Sequence, residues 1–339
     1  MKAFVYVGPK TVELRNVPVP DVKAGYALIK VSHAGVCGSD LTIYAGAHPR
    51  AKAPLVLGHE LSGTLESDHP EIRKGTEVTC YPLLSCGECN PCKTGNAHIC
   101  DTLGLIGINC DGGLAEYVLV PSHLLVPIPE GVGLKLGAFI EPLAVGVHAV
   151  RKGGYVPGDS AAVFGCGAIG LVCALMLRQS GCENLTIVDN NAHRLSVAED
   201  MGFSVLNADE SDVPDAIRRR TGQVGADCVF DCAGHPSVAG NLVRTVKAAG
   251  RIVGVASYKA KPEIDMTMCM FKELTFQFVR VYTRKDFEIA ADRIQKNSID
   301  FERIITHVLP PEDVQKGFEL LTTKSDAIKV MFSFHTDPL

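Results

Sequence analysis

Apolar and polar positions along the chain fall into two textures. Short β-rich runs at 27–31, 77–81 and 117–121 alternate with Gly- and Pro-rich turns, which predicts irregular all-β structure and not a parallel sheet. From Ala161 the rhythm changes. Apolar runs at 161–164, 185–189, 228–231 and 251–255 predict strands, and the stretches at 168–178, 192–201 and 237–246 read as helices. Repeated strand, helix, strand builds a doubly wound parallel sheet, so the fold class is α/β. Gly250 is expected to end the third helix as a left-handed cap. A strand at 275–279, helices at 286–295 and 312–321 and a last strand at 328–332 follow. These either cap the parallel sheet or return to the β-rich part.

Composition narrows the class without choosing a function. A chain of 339 residues exceeds one typical domain. Its 46% hydrophobic and 21% charged residues are those of a soluble globular protein. A net charge of -5 gives no field for holding a phosphodiester backbone, and Arg218-Arg219-Arg220 reads as a solvated helix end. No nucleic-acid partner is expected. Thirteen cysteines are odd in number and sparse, which argues against a disulfide framework and for the reducing cytoplasm. The start, Met1 to Val5, lacks the apolar core of a signal peptide, so no export is expected. Residues 160–177 are uncharged and long enough for a membrane span. Their three glycines point elsewhere, and no membrane partner is expected.

Three groups of residues carry chemistry. Cys86, Cys89, Cys92 and Cys100, with Gly87, Pro91 and Gly95 turning the chain between them, have the spacing of a closed tetrahedral zinc site. Four thiolates also hold iron–sulfur clusters, which stays an alternative. Cys37-Gly38-Ser39-Asp40, Gly58-His59-Glu60 and Glu141 lie in separate turns. One thiolate, one imidazole and one or two carboxylates leave zinc an open position, as catalytic sites require. Taken singly, each reads more readily as a buried thiol, a core imidazole or a capping carboxylate. His59-Glu60 does not begin a metalloprotease helix, because Gly63 stands where the second histidine is needed. Third, Gly165-Cys166-Gly167-Ala168-Ile169-Gly170 follows a predicted strand and opens a predicted helix, the context of a dinucleotide-binding turn. Asp189 ends the next strand, where a carboxylate accepts from the ribose and repels a 2′-phosphate. NAD is therefore preferred over NADP, with Arg194 pulling weakly the other way. Ile169 and Val255 are assigned to the same nucleotide site.

In this order, and with Gly112-Gly113-Leu114-Ala115-Glu116-Tyr117 and Glu141-Pro142-Leu143-Ala144, these motifs resemble the zinc-containing medium-chain dehydrogenase/reductase family. Within it they are most similar to the sorbitol dehydrogenase-like branch of polyol and sugar-acid dehydrogenases. The resemblance implies a GroES-like, β-rich zinc domain from 1–144 and 277–339, with a Rossmann NAD-binding domain at 145–276. It implies two zinc ions per chain, a catalytic one on Cys37, His59, Glu60 and Glu141 and a structural one on the four-cysteine loop. Asp40 would orient His59, and Ser39 would take the substrate proton. The family's proton path commonly ends in a histidine five residues after the zinc-binding cysteine; Thr42 stands there instead. Arg280, on a late strand, is the candidate clamp for a substrate carboxylate, with Glu116 a further substrate candidate. The expected reaction takes a secondary alcohol of a polyol or sugar acid to a ketone, with a small diol, an amino alcohol or catalytic silence as alternatives. Relatives of this kind are usually homodimers or homotetramers.

Overall fold

Strand Tyr26–Gly35 is the spine of the β-rich part. Ala27, Ile29 and Val31 alternate inward and are buried, the period-two signal visible in the sequence. Strand Tyr117–Pro121 pairs antiparallel with its first half and Glu60–Leu65 with the stretch from Ile29 to Gly35, joined by Glu77–Cys80 and Leu125–Pro127. A register shift between Val31 and His33 changes the alternation, so the strand arrives at Cys37 with Gly35 opposite Glu60. The C-terminal elements return to this sheet: Lys329–Ser333 pairs antiparallel on the other side of Gly35, and Ile305–Leu309 pairs parallel with it. Phe4, from the three-stranded sheet of Lys2–Gly8, Thr11–Asn16 and Leu55–Val56, meets Phe332 edge-on at 4.6 Å and closes the core.

The structure is a computed structural model and describes residues 1–296, 300–323 and 325–334. It divides into two units, Met1–Glu141 with Thr283–Leu339, and Pro142–Tyr282. The division falls inside one helix, Gly133–Gly153, between Glu141 and Pro142. That helix is long and apolar enough to cross a membrane, yet 72% of its apolar window is buried within the fold, as in a core helix. The stretch at 160–177 is not one helix at all. It is strand Ala161–Phe164, a glycine turn, and most of helix Ala168–Gln179.

The second unit is a six-stranded, all-parallel sheet. Its spatial order is Ser204–Asn207, Leu185–Asp189, Ala161–Phe164, Ala226–Asp231, Val246–Gly254, Thr275–Phe278. In chain order this is 3-2-1-4-5-6, the doubly wound arrangement that binds dinucleotides where the order reverses. At the other end of the strands the Ser160 amide and hydroxyl donate to Asp227, Lys247 pairs with Asp227, and Arg251 pairs with Asp159. The arginine run ends helix Val213–Arg220: Arg218 pairs with Asp215, and Arg220 donates to Ser204 and Val205. Gly250 is not a helix cap. Helix Pro236–Thr245 ends before it, the left-handed residue is Ala249, and Gly250 lies inside strand Val246–Gly254. A Cβ there would sit 2.5 Å from Val246 and 2.9 Å from the Lys247 carbonyl, so crowding, not handedness, demands glycine.

Candidate active site and nucleotide site

Two turns and a strand start build the first cluster. Cys37 precedes helix Gly38–Tyr44, and its amide donates to Asp40 at 2.9 Å. Gly58 takes a left-handed φ of 96° and packs so tightly on Leu114 that a Cβ would lie 2.6 Å from it. Only glycine fits, and the Gly112-Gly113-Leu114 segment closes on the turn that presents His59. The ligand atoms of Cys37, His59 and Glu60 lie within 4.8 Å of one another. His59, Glu60 and Asp40 are buried, and Cys37 is partly so. His59 Nδ1 and Asp40 Oδ1 are buried without a hydrogen-bond partner. Soft sulfur, borderline nitrogen and hard oxygen converging beside an orphaned imidazole nitrogen suit zinc.

The field is strongly anionic. Burial lowers the His59 pKa, but the charges of Cys37, Asp40 and Glu141 raise it well above its ordinary value. Asp40 is pushed up, chiefly by burial. Glu141 is 5% exposed and stands outside the tight three-residue group, although its charge acts on His59. Asp40 makes no hydrogen bond to His59: one oxygen takes the Cys37 amide and the other has no partner. The two side chains nevertheless act on each other through charge, Asp40 raising the His59 pKa and His59 lowering that of Asp40. Ser39 does reach the imidazole, with Oγ 3.4 Å from Nε2. The Thr42 hydroxyl donates back to the Gly38 carbonyl at 3.0 Å.

One partner was invisible in the sequence. Lys329, 3% exposed, forms an ion pair with Glu60 and donates to the Val36 carbonyl at 2.9 Å. Burial lowers its pKa, and the charges of Glu60, Cys37 and Glu141 more than offset this, so it lies above the ordinary lysine value.

The four-cysteine loop is preformed. Its sulfurs are separated by 3.4 Å (Cys89–Cys92), 3.5 Å (Cys86–Cys100), 3.8 Å (Cys89–Cys100) and 4.0 Å (Cys86–Cys92). A tetrahedral ion with Zn–S bonds of about 2.3 Å needs sulfurs roughly 3.8 Å apart. The Glu88 and Cys89 amides donate to Cys86 Sγ and lower its pKa, and the Cys86 amide helps bring Cys100 down to about 6. Thiolates are thereby favoured at Cys86 and Cys100 before any metal arrives, whereas the Cys92 thiol is pushed up to about 12, chiefly by burial.

In the second unit the glycine turn lies at the C-terminal ends of the parallel strands. Gly165 has φ 98°, and a Cβ there would meet the Cys232–Ala233 backbone at 2.9 Å. At Gly170 a Cβ would lie 1.7 Å from the Gly165 carbonyl, whereas at Gly167, which caps helix Ala168–Gln179, it would touch nothing within 4 Å. The turn is therefore crowded underneath and open at the position where a pyrophosphate approaches. Asp189 accepts from the amides of Cys166 at 2.6 Å and of Asn190 and Asn191 at 2.8 Å, leaving capacity for a further donor. Ile169 lies in the first helical turn, Arg194 in the helix that follows Asp189, and Val255 just past the fifth strand. Asp231, which the sequence did not single out, ends the fourth strand, is buried, and accepts from Ala233, Gly234 and the Tyr258 hydroxyl.

The substrate candidates fare differently. Glu116 has a structural task, since its carboxylate accepts the Lys2 amide at 2.7 Å. Arg280 lies past the end of strand Thr275–Phe278, not on it, and is exposed.

Residues 23–130 match the family model for the alcohol dehydrogenase GroES-like domain, and 168–296 that for zinc-binding dehydrogenase. The chain is 35% identical to an L-threonine 3-dehydrogenase of Bacillus licheniformis over 95% of both chains. It is 32% identical to a 2-dehydro-3-deoxy-L-galactonate 5-dehydrogenase of Pseudoalteromonas atlantica over 98% of both. It superposes with a TM-score of 0.91 on an alcohol dehydrogenase, RspB, from Escherichia coli CFT073, solved with NADH. That pair is 29% identical and covers 98% of this chain and 99% of the other.

Proposed function

The chain belongs to the zinc-containing medium-chain dehydrogenase/reductase family, in its sorbitol dehydrogenase-like branch, and from that premise we propose that it oxidises a secondary alcohol of a polyol or sugar acid to a ketone. It is a zinc- and NAD(P)-dependent alcohol dehydrogenase. The observation that carries the reading is the convergence of Cys37, His59 and Glu60 beside a buried imidazole nitrogen that lacks a hydrogen-bond partner.

Cys37 and His59, with a carboxylate from Glu60 or Glu141, hold the catalytic zinc. Cys86, Cys89, Cys92 and Cys100 hold the structural one. When bound, zinc supplies the Lewis acidity that lowers a hydroxyl pKa toward neutrality, and the dinucleotide supplies the hydride acceptor. Ser39, whose Oγ lies 3.4 Å from His59 Nε2, takes the hydroxyl proton. Thr42 accepts through the lone pairs its bond to Gly38 leaves unused and marks the exit toward water. Gly165, Gly167 and Gly170 seat the phosphates, with Ile169, Arg194 and Val255 around them. Asp189 favours NAD over NADP by offering a carboxylate to the ribose. Arg280 grips a substrate carboxylate. Thirteen cysteines, none of them in a disulfide, support a cytoplasmic setting. Met266, Met270, Phe271 and Phe278, exposed around a sheet edge that no further strand pairs among the described residues, support a homodimer or homotetramer.

The 35% identity to a threonine dehydrogenase favours a second reading, oxidation of a small amino alcohol or diol. NADH formation over hexitols, aldonates, their phosphates, L-threonine and 2,3-butanediol separates the two. Our reading requires a hexitol or aldonate to exceed the small substrates in kcat/KM by about 10-fold or more. The reverse order sinks it.

A further inference from the structure

We infer that Tyr258 and Asp231 form a brace that holds the pyrophosphate turn in its binding shape, which makes Tyr258 a positioning residue for the dinucleotide. The inference rests on the nucleotide site proposed above. Asp231 pairs with Phe164, the residue before Gly165, so it ends its strand at the point where the strand order reverses. It is 1% exposed, and its two carboxylate oxygens have separate tasks. Oδ1 accepts the amides of Ala233 at 3.1 Å and Gly234 at 3.0 Å, whereas Oδ2 accepts the Tyr258 hydroxyl. The Asp231 carbonyl takes the Val255 and Ala256 amides, both at 3.0 Å, so the exit of strand Val246–Gly254 is tied to it by backbone and side chain alike. Burial and the Asp231 carboxylate raise the Tyr258 pKa, which keeps the phenol protonated as a donor. A buried carboxylate oxygen needs such a donor. The turn after Asp231 is gripped from both sides. A Cβ on Gly165 would lie 2.9 Å from the Ala233 nitrogen, and one on Gly234, whose φ is 60°, would lie 2.8 Å from the Ser257 carbonyl oxygen and 2.9 Å from Ala256 Cβ. With no slack in either contact, a shift of residues 256–258 passes through 232–234 to Gly165 and the turn it opens. Tyr258 acts on that turn through Asp231.

The test uses the full-length protein and two probes: NADH, followed by its fluorescence, and ADP-ribose, which carries the pyrophosphate but no nicotinamide, followed by its displacement of NADH. Tyr258→Phe keeps the ring and removes only the hydroxyl. It is expected to weaken both probes by about 10-fold, because the turn that seats their common phosphates loosens. Asp231→Asn still accepts both turn amides through its carbonyl and can donate to the phenol oxygen, so it should hold both probes within about 3-fold of the wild type. Adding Tyr258→Phe to Asp231→Asn should bring the loss back. A hydroxyl that served the fold alone would lower the melting temperature of Tyr258→Phe and leave both affinities unchanged, and that result overturns the inference. So does a loss confined to NADH, which would put the effect at the nicotinamide. Should Tyr258→Phe not fold, Asp231→Asn decides: a loss of about 10-fold for both probes there would mean that charge, not the hydrogen bond, shapes the turn, and the brace would be refuted. A wild type that binds neither probe removes the nucleotide site itself, and the brace with it.

Discussion

Gly167 and Gly170 stand three residues apart in one turn, yet a methyl group would do opposite things at each. At Gly170 it collides with the Gly165 carbonyl, and at Gly167 it meets open space. Gly170→Ala is expected to abolish NAD binding and to lower thermal stability by the roughly 1–3 kcal/mol that overpacking costs. Gly167→Ala should melt with the wild type but bind NAD roughly 10-fold more weakly, because the methyl occupies the path of the pyrophosphate. Calorimetry and NADH fluorescence titration check the pair. Asp189→Asn keeps the shape but loses acceptor capacity toward the Cys166, Asn190 and Asn191 amides. The ratio of kcat/KM for NAD over NADP should fall about 10-fold or more, and a ratio unchanged in steady-state kinetics would remove Asp189 from cofactor choice. The glycines and Asp189 were legible in the sequence because a turn is a local object. Lys329 was not, since only the sheet brings it to Glu60 from the far end of the sequence. Glu116 was legible as a carboxylate but not as the acceptor of Lys2, for the same reason.

Strands were read well where burial alternates, as at Ala27, Ile29 and Val31, or is continuous, as at Ala161–Phe164. Gly250 was misread because a glycine after a helical pattern looks like a cap, whereas here it answers to crowding inside the next strand. The charged ties at the start of the parallel strands carry no motif. Asp227 is the centre of one. Burial pushes its pKa up, but Lys247 and Ser160 pull it further down, so the folded value lies below the usual carboxylate range. Its stabilisation is therefore complete above the unfolded value of about 3.9 and is lost as pH falls through the folded one. Asp227→Asn should lower the unfolding temperature at pH 7, and the gap to wild type should close below that window. A gap independent of pH in thermal melts would mean the charge contributes nothing.

For the whole molecule, the decisive fact is that both ends of the chain build one unit. Strand Lys329–Ser333 lies against Tyr26–Gly35 and delivers Lys329 to Glu60. The pattern of strands and helices left open whether the last elements cap the parallel sheet or return, because strand propensity does not name a partner; only the family resemblance placed them with the β-rich part. The sheet edge at Thr275–Phe278 pairs with no further strand among the described residues, and Phe271 and Phe278 beside it are 78% and 65% exposed. Phe271→Glu/Phe278→Glu should shift the protein to monomer in sedimentation velocity, and an unchanged assembly would place the interface elsewhere. The central claim, that this fold holds an open catalytic zinc apart from a closed structural one, is tested most directly by metal analysis of the wild type beside Cys37→Ser/His59→Ala. The account predicts two zinc ions per chain in the wild type and one in the variant, whereas one in both would contradict it.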